Sequence, residues 1–201
     1  MVAYPDEMIS RITNAKQAAL LKAAYILFRK HGFQRVSIEE ICRTAGVSKV
    51  TFYKHYTGKD ELIKSIVKSV FETQLRISDA IMQSKQSIKE KFEQIILSKQ
   101  SLISELGEEL MHSILTTPST VGYLNELSVK VLSDFKAFLF DEQQKGNINP
   151  RLSMDFVLLF LGEINRMIND KTLLQRFGSV EQLVSQINEI LMFGIVARVK
   201  Q

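Results

Sequence analysis

The sequence predicts an all-α chain: an N-terminal three-helix domain with a helix-turn-helix, joined to a larger helical domain. Three observations carry this. Proline occurs only at positions 5, 118 and 150, so long stretches lack helix breakers, and no alternation of strand period appears between turn signals. Residues 37–62 spell two short capped helices broken at Gly46, then a third helix start. The charge is uneven: of a net +4, residues 1–64 hold 11 Lys/Arg against 6 Asp/Glu, so the whole basic excess lies in the segment with the helix-turn-helix.

The first helix is expected from about Arg11 to His31, with Leu20, Ala23, Ala24, Leu27 and Phe28 as one apolar stripe and Gly32 as its left-handed cap. Ser37 and Glu40 form a capping box for the second helix, whose inward stripe is Ile38, Ile41, Cys42 and Ala45. Cys42 is the only cysteine, which excludes an intrachain disulfide and places it as a small core residue. Ser48 caps the third helix, which ends near Tyr56 to Gly58. A fourth starts at Lys59 or Asp60 and runs to about Met82 on Ile63, Ile66, Val67, Val70 and Phe71. Domains are therefore expected at 1–58 and 59–201, connected by the helix 59–82. Further helices are expected at about 87–105, 107–116, 120–145, 152–169 and 180–198.

With 45% apolar residues the chain can bury a sizeable core. No signal peptide opens it and no apolar stretch is long enough to span a bilayer, so a cytoplasmic protein without membrane contact is expected.

The third helix carries the chemistry. If Phe52 and Tyr56 pack inward, then at about 100° per residue Val50 and Lys54 point outward, flanked by Thr51 and Tyr53. Lys49 or Lys54 can meet guanine O6/N7, Thr51 a base edge, and Val50 a thymine methyl. Ser37, Tyr53, His55 and Lys59, with the cap Ser48, suit the flanking contacts, phosphate oxygens above all, which fix register without reading sequence.

Residues from about Ile12 to Leu62 resemble the DNA-binding domain of the TetR/AcrR family of bacterial repressors. The resemblance rests on Ala23, Ala24, Leu27 and Phe28, on Gly32-Phe33, Ser37-Ile38 and Ile41, on Ala45 through Lys49, on Thr51 through Tyr53, on His55-Tyr56 and on Lys59 through Leu62. It implies an all-helical homodimer whose third helix enters the major groove, with Tyr53, His55 and Lys59 holding the DNA backbone. It also implies a pocket in the larger domain whose occupancy changes the separation of the two reading heads. Val50 departs from the glycine often found there, giving a bulkier reading face, and Thr57-Gly58 replaces the commoner turn before the lysine.

In the larger part, Phe92, Ile96, Leu102, Ile103, His112, Leu115, Tyr123, Leu127 and Phe160 are candidate lining for a small apolar effector, with Gln100, Asn125, Asn165 and Arg166 among the isolated polar groups; plain core packing is the alternative. Phe156 to Leu161 and Ile190 to Val196 are apolar around the whole circumference, which one core-facing stripe does not explain. A twofold four-helix contact through Phe156, Leu159, Gly162, Arg166, Ile187, Leu191, Gly194 and Ile195 would give them a second buried face, the alternative being two helices central to a monomer core.

Glu109 and His112 have the spacing of a carboxylate-bridged di-iron site, but His31 and His55 lack the second copy such a site needs, so neither metal nor cofactor is expected. No catalytic motif stands out. The expected function is a ligand-responsive repressor on a near-palindromic duplex operator, not an enzyme; the rival is a helical carrier or enzyme with a vestigial DNA-binding module.

Overall fold

The computed structural model describes residues 12 and 14–168 and, beyond them, 170, 172, 176, 182, 183, 186, 187, 189 and 190. Among the described residues the architecture is all-helical: α1 (Ala15–His31), α2 (Ile38–Ala45), α3 (Lys49–His55), α4 (Lys59–Gln83), α5 (Ile88–Thr116), α6 (Pro118–Gln144) and α7 (Met154–Ile168). The expected helix at 180–198 falls largely outside the described residues; those of its positions that are described are helical.

The chain packs as two compact units, one of residues 1–79 and 98–129, the other of 80–97 and 130–201. The packing thus divides inside α4, α5 and α6 rather than after residue 58.

In the first unit, α1 begins at Ala15 rather than Arg11 because the Asn14 side chain accepts from the amides of Lys16 and Gln17, fixing the helix start there. Gly32 closes α1 with its amide on the Phe28 carbonyl, at a positive φ but an extended ψ of 159°. The Ser37 hydroxyl accepts from Glu40 N and the Ser48 hydroxyl from Thr51 N, each at 3.1 Å, starting α2 and α3 at the expected residues. Between these helices Gly46 takes φ 66° and ψ 33°, the left-handed conformation that disfavours any Cβ, and the chain turns within Gly46 and Val47 to reach the Ser48 cap. Glu61 anchors the start of α4 by accepting from both the amide and the hydroxyl of Thr57, which holds its carboxyl below the usual range.

Leu20, Leu21, Phe28, Ile41, Phe52, Leu62, Ile63 and Ile66 form the centre of this unit, and Leu102, Leu106, Leu110 and Ile114 of α5 join them. Cys42 is buried in the same core, and that burial pushes its thiol up. At Gly107 the backbone of α5 leaves helical geometry (φ 72°, ψ 167°), so α5 is two helical segments joined at a kink, as the expected break between 105 and 107 implied.

The second unit has its own core of Ile88, Phe92, Leu139, Ile148, Val157 and Ile164, with Leu183 and Ile187. Ser87 and Glu90 form a reciprocal capping box at the start of α5, and the Ser153 hydroxyl accepts from Phe156 N to start α7. Ile187 corrects an expectation: it is buried in the core of its own unit, not free for a partner, because its helix turns Leu183 and Ile187, four apart, to that core. Leu191, Gly194 and Ile195 lie outside the described residues. On α7, Val157 and Ile164 face inward while Phe156 (55% exposed), Leu159 (65%), Gly162 and Arg166 remain outside, Arg166 paired to Glu163.

Candidate nucleic-acid interface

A seven-residue helix cannot hold itself together in water. α3 is ordered by what lies behind it: Phe52 and Tyr56 are buried, their rings 5.9 Å apart, and the Tyr53 ring meets the Phe52 edge at 5.3 Å. That fixes the rotation of the helix. Val50 (67% exposed), Tyr53 (58%), Lys49 and Lys54 then stand on the open side, with Thr51 and His55 half-buried beside them. Ser37 and Ser48 are exposed at the two helix starts, and the Ser48 and Thr51 hydroxyls lie 3.0 Å apart. One helix thus presents cations, hydroxyls, an aromatic and a branched aliphatic side chain together, a mixture suited to phosphates and base edges in a major groove.

Lys59 does not join them. Its ammonium donates to the backbone carbonyls of Phe33 and Val36, both at 2.7 Å, and of Gln34 at 3.4 Å, and it lies 4.5 Å from the centre of the Phe33 ring. Burial lowers its pKa. All three of its donors are engaged within the protein, so the expected phosphate contact is corrected to a structural clasp on the 33–36 turn. Sequence reasoning also missed Glu39, which reaches from α2 to Lys49 at 3.1 Å.

The candidate effector lining is divided between the two units. Leu102 is buried in the first core with Tyr123 against it, and Leu127 is half-buried; Phe92 belongs to the second core, with Ile96 and Phe160 packed on it. Ile103, His112 and Leu115 are exposed. The reason is the buried stripe Leu102, Leu106, Leu110 and Ile114, spaced by four, which turns those three outward. The second unit instead has an open depression of about 540 Å³ lined by Ser133, Lys136, Ala137, Phe140, Gln143, Leu152, Ser153, Met154 and Asp155, none of them in the expected lining. Among the described residues no group of three potential metal ligands occurs and no helix is long and apolar enough to cross a membrane.

Residues 20–66, which hold most of α1, all of α2 and α3 and the start of α4, match the family model of bacterial regulatory proteins of the tetR family. That segment is therefore similar to the regulators of the TetR family. The chain's similarity to other regulators extends past the matched segment. The chain is 23% identical over 187 residues, 89% of this chain and 94% of the other, to the uncharacterized HTH-type transcriptional regulator YvaF of Bacillus subtilis. The crystal structure of a putative transcriptional regulator from Pseudomonas aeruginosa PAO1 superposes with a TM-score of 0.68 at 19% identity, covering 92% of this chain and 93% of that one. A gamma-butyrolactone receptor, an ArpA-like protein, superposes at 0.64 and 20% identity over 90% of this chain and 88% of its own. At these identities the structures speak for a shared TetR-type fold, with the reading module at the N-terminus and a helical remainder.

Proposed function

We propose that this chain is a TetR-family regulator, a ligand-responsive repressor that binds a near-palindromic operator as a dimer and is released by a small apolar molecule. The observation that carries the DNA-reading part is the outward face of α3, where Lys49, Val50, Tyr53 and Lys54 stand exposed on a helix clamped from behind by Phe52 and Tyr56. Thr51 and Val50 read bases, and Ser37, Tyr53 and His55 hold phosphates. The exposed Phe156 and Leu159 of α7 support the dimer, since large apolar side chains clustered on one open helix face are what a partner covers. Two copies then read two half-sites about one helical turn apart.

For the effector, Gln100 is the favoured polar anchor: its Nε2 is buried without a hydrogen-bond partner, and a ligand acceptor would satisfy it. The name of one structural neighbour, a receptor for a gamma-butyrolactone, is in keeping with a small, mainly apolar ligand. Release requires that the ligand bind more tightly to the conformation that cannot span both half-sites, and the shift is bounded by that difference in affinity.

The test is selection of bound duplexes from randomised and from gene-flanking DNA, followed by mobility shifts with graded apolar compounds. An inverted repeat whose retention falls on adding one compound is the expected result. Val50→Ala and Thr51→Ala should change which sequences are selected. Absence of any DNA retention at low salt would overturn the proposal.

A further inference from the structure

The reading face has a contributor outside α3. Glu39 lies on α2, yet its carboxylate sits 3.1 Å from the Lys49 ammonium at the leading end of the reading helix, and both side chains are largely exposed. An exposed pair of this kind adds little to stability. A carboxylate on a phosphate-facing surface also opposes binding to the DNA backbone. Both facts leave the base edges as the place where it can gain.

A cation and a carboxylate side by side offer a donor next to an acceptor. In the major groove a G·C pair shows two successive acceptors, guanine N7 and O6, followed by the cytosine N4 donor. An A·T pair sets its N6 donor between N7 and O4, which gives a lysine no run of two acceptors. The ion pair therefore fits G·C best.

We propose that Glu39 is a specificity-determining residue which, with Lys49, reads one G·C pair in each half-site: Lys49 donates to guanine O6 and N7, and Glu39 accepts from cytosine N4. This rests on the assignment of α3 as the reading helix. The pair also orients Lys49 before binding, so the two residues act as one unit.

The experiment is selection from randomised duplexes by the full chain and by Glu39→Ala, Lys49→Ala, the double variant and Glu39→Gln. The wild type should prefer G·C at one position per half-site. Both alanine variants should lose roughly tenfold of that preference at this same position, and the double variant no more than either alone. Glu39→Ala should bind unrelated DNA at least as well as the wild type, because a repelled charge is gone. Glu39→Gln, which pairs best with adenine, should shift the preference toward A·T. Glu39→Ala selecting the wild-type sequence at every position, or changing a position that Lys49→Ala leaves alone, would overturn the proposal while α3 still reads DNA. A wild type that selects no sequence would instead overturn the reading assignment beneath it.

Discussion

The Phe33 amide donates to the Ser113 hydroxyl at 2.9 Å, and this buried bond ties the turn after α1 to the second segment of α5. Ser113 in turn donates to the Glu109 carbonyl, and the Phe33 carbonyl accepts from Lys59. One residue of the DNA-binding module is thus held on its amide side by α5 and on its carbonyl side by α4. Tyr25 adds a second tie from α1, its hydroxyl donating to the Glu105 carbonyl at 3.1 Å.

Ser113→Ala should lower stability by about 1–3 kcal/mol, because the Phe33 amide is left buried and unpaired. The loss should be visible as a lower denaturant midpoint and as faster hydrogen exchange of the Phe33 amide. Unchanged exchange at Phe33 would mean that another acceptor replaces the hydroxyl.

Lys59→Met should act as a folding variant. It removes three bonds to the 33–36 turn, with an expected loss of roughly 1–3 kcal/mol and a melting temperature lower by several degrees. The slope of DNA affinity against salt should stay near the wild-type value. A slope shallower by about one unit at an unchanged melting temperature would place the ammonium on a phosphate in the complex.

These two ties mark where sequence reading stops. The caps Ser37 and Ser48, the Gly46 turn and the inward pair Phe52 and Tyr56 were legible because each is a local pattern with one geometric solution. Lys59 was misread because its partners are backbone carbonyls more than twenty residues away, and a carbonyl has no residue identity to notice. Ser113 gave no signal at all for the same reason. The exposed members of the expected effector lining escaped for another reason. The spacing by four of Leu102, Leu106, Leu110 and Ile114 is present in the sequence and turns Ile103, His112 and Leu115 away from the core, but helix period alone does not say which of several apolar faces is the buried one. Ile187 shows the same ambiguity, since an apolar stripe on a helix does not itself distinguish its own core from a partner.

The second unit carries a buried ion pair whose loss should be severe. Lys91 and Glu142 lie 3.1 Å apart with side chains only 6% and 3% exposed; Asn147 donates to the other Glu142 oxygen at 2.7 Å, and the ammonium lies 5.4 Å from the centre of the Phe138 ring. Lys91→Met leaves the buried carboxylate with only Asn147 and, at 3.5 Å, the more exposed Lys145, and should cost about 3 kcal/mol, whereas the double change to Lys91→Met with Glu142→Leu should recover much of it. Burial alone would raise the Glu142 carboxyl, but the bonds from Asn147 and Lys91 and the neighbouring charges outweigh it and hold it below the ordinary value of 4.5. Its contribution is therefore fully present above that value and is lost as pH falls through the lower folded one. Acid titration of unfolding should show a shallower decline below pH 4.5 in Glu142→Gln than in the wild type. Parallel declines would remove Glu142 from the acid sensitivity.

Leu159→Glu tests the proposed dimer without touching the core. Leu159 is 65% exposed, while Val157 and Ile164 on the same helix are buried, so the new carboxylate meets solvent in a single chain and its own unit should fold unchanged. In a dimer closed over α7 the two carboxylates would be desolvated close to the twofold axis, where the cation of that face, Arg166, is already paired to Glu163, a cost large enough to dissociate the pair. Sedimentation should therefore give a dimer for the wild type and a monomer for Leu159→Glu, with equal helical content by circular dichroism. Operator affinity should fall far more than affinity for a single half-site, since the second contact is no longer delivered at high effective concentration. A variant that remains dimeric would show that the pair closes over another surface and leaves the exposed face of α7 without that role.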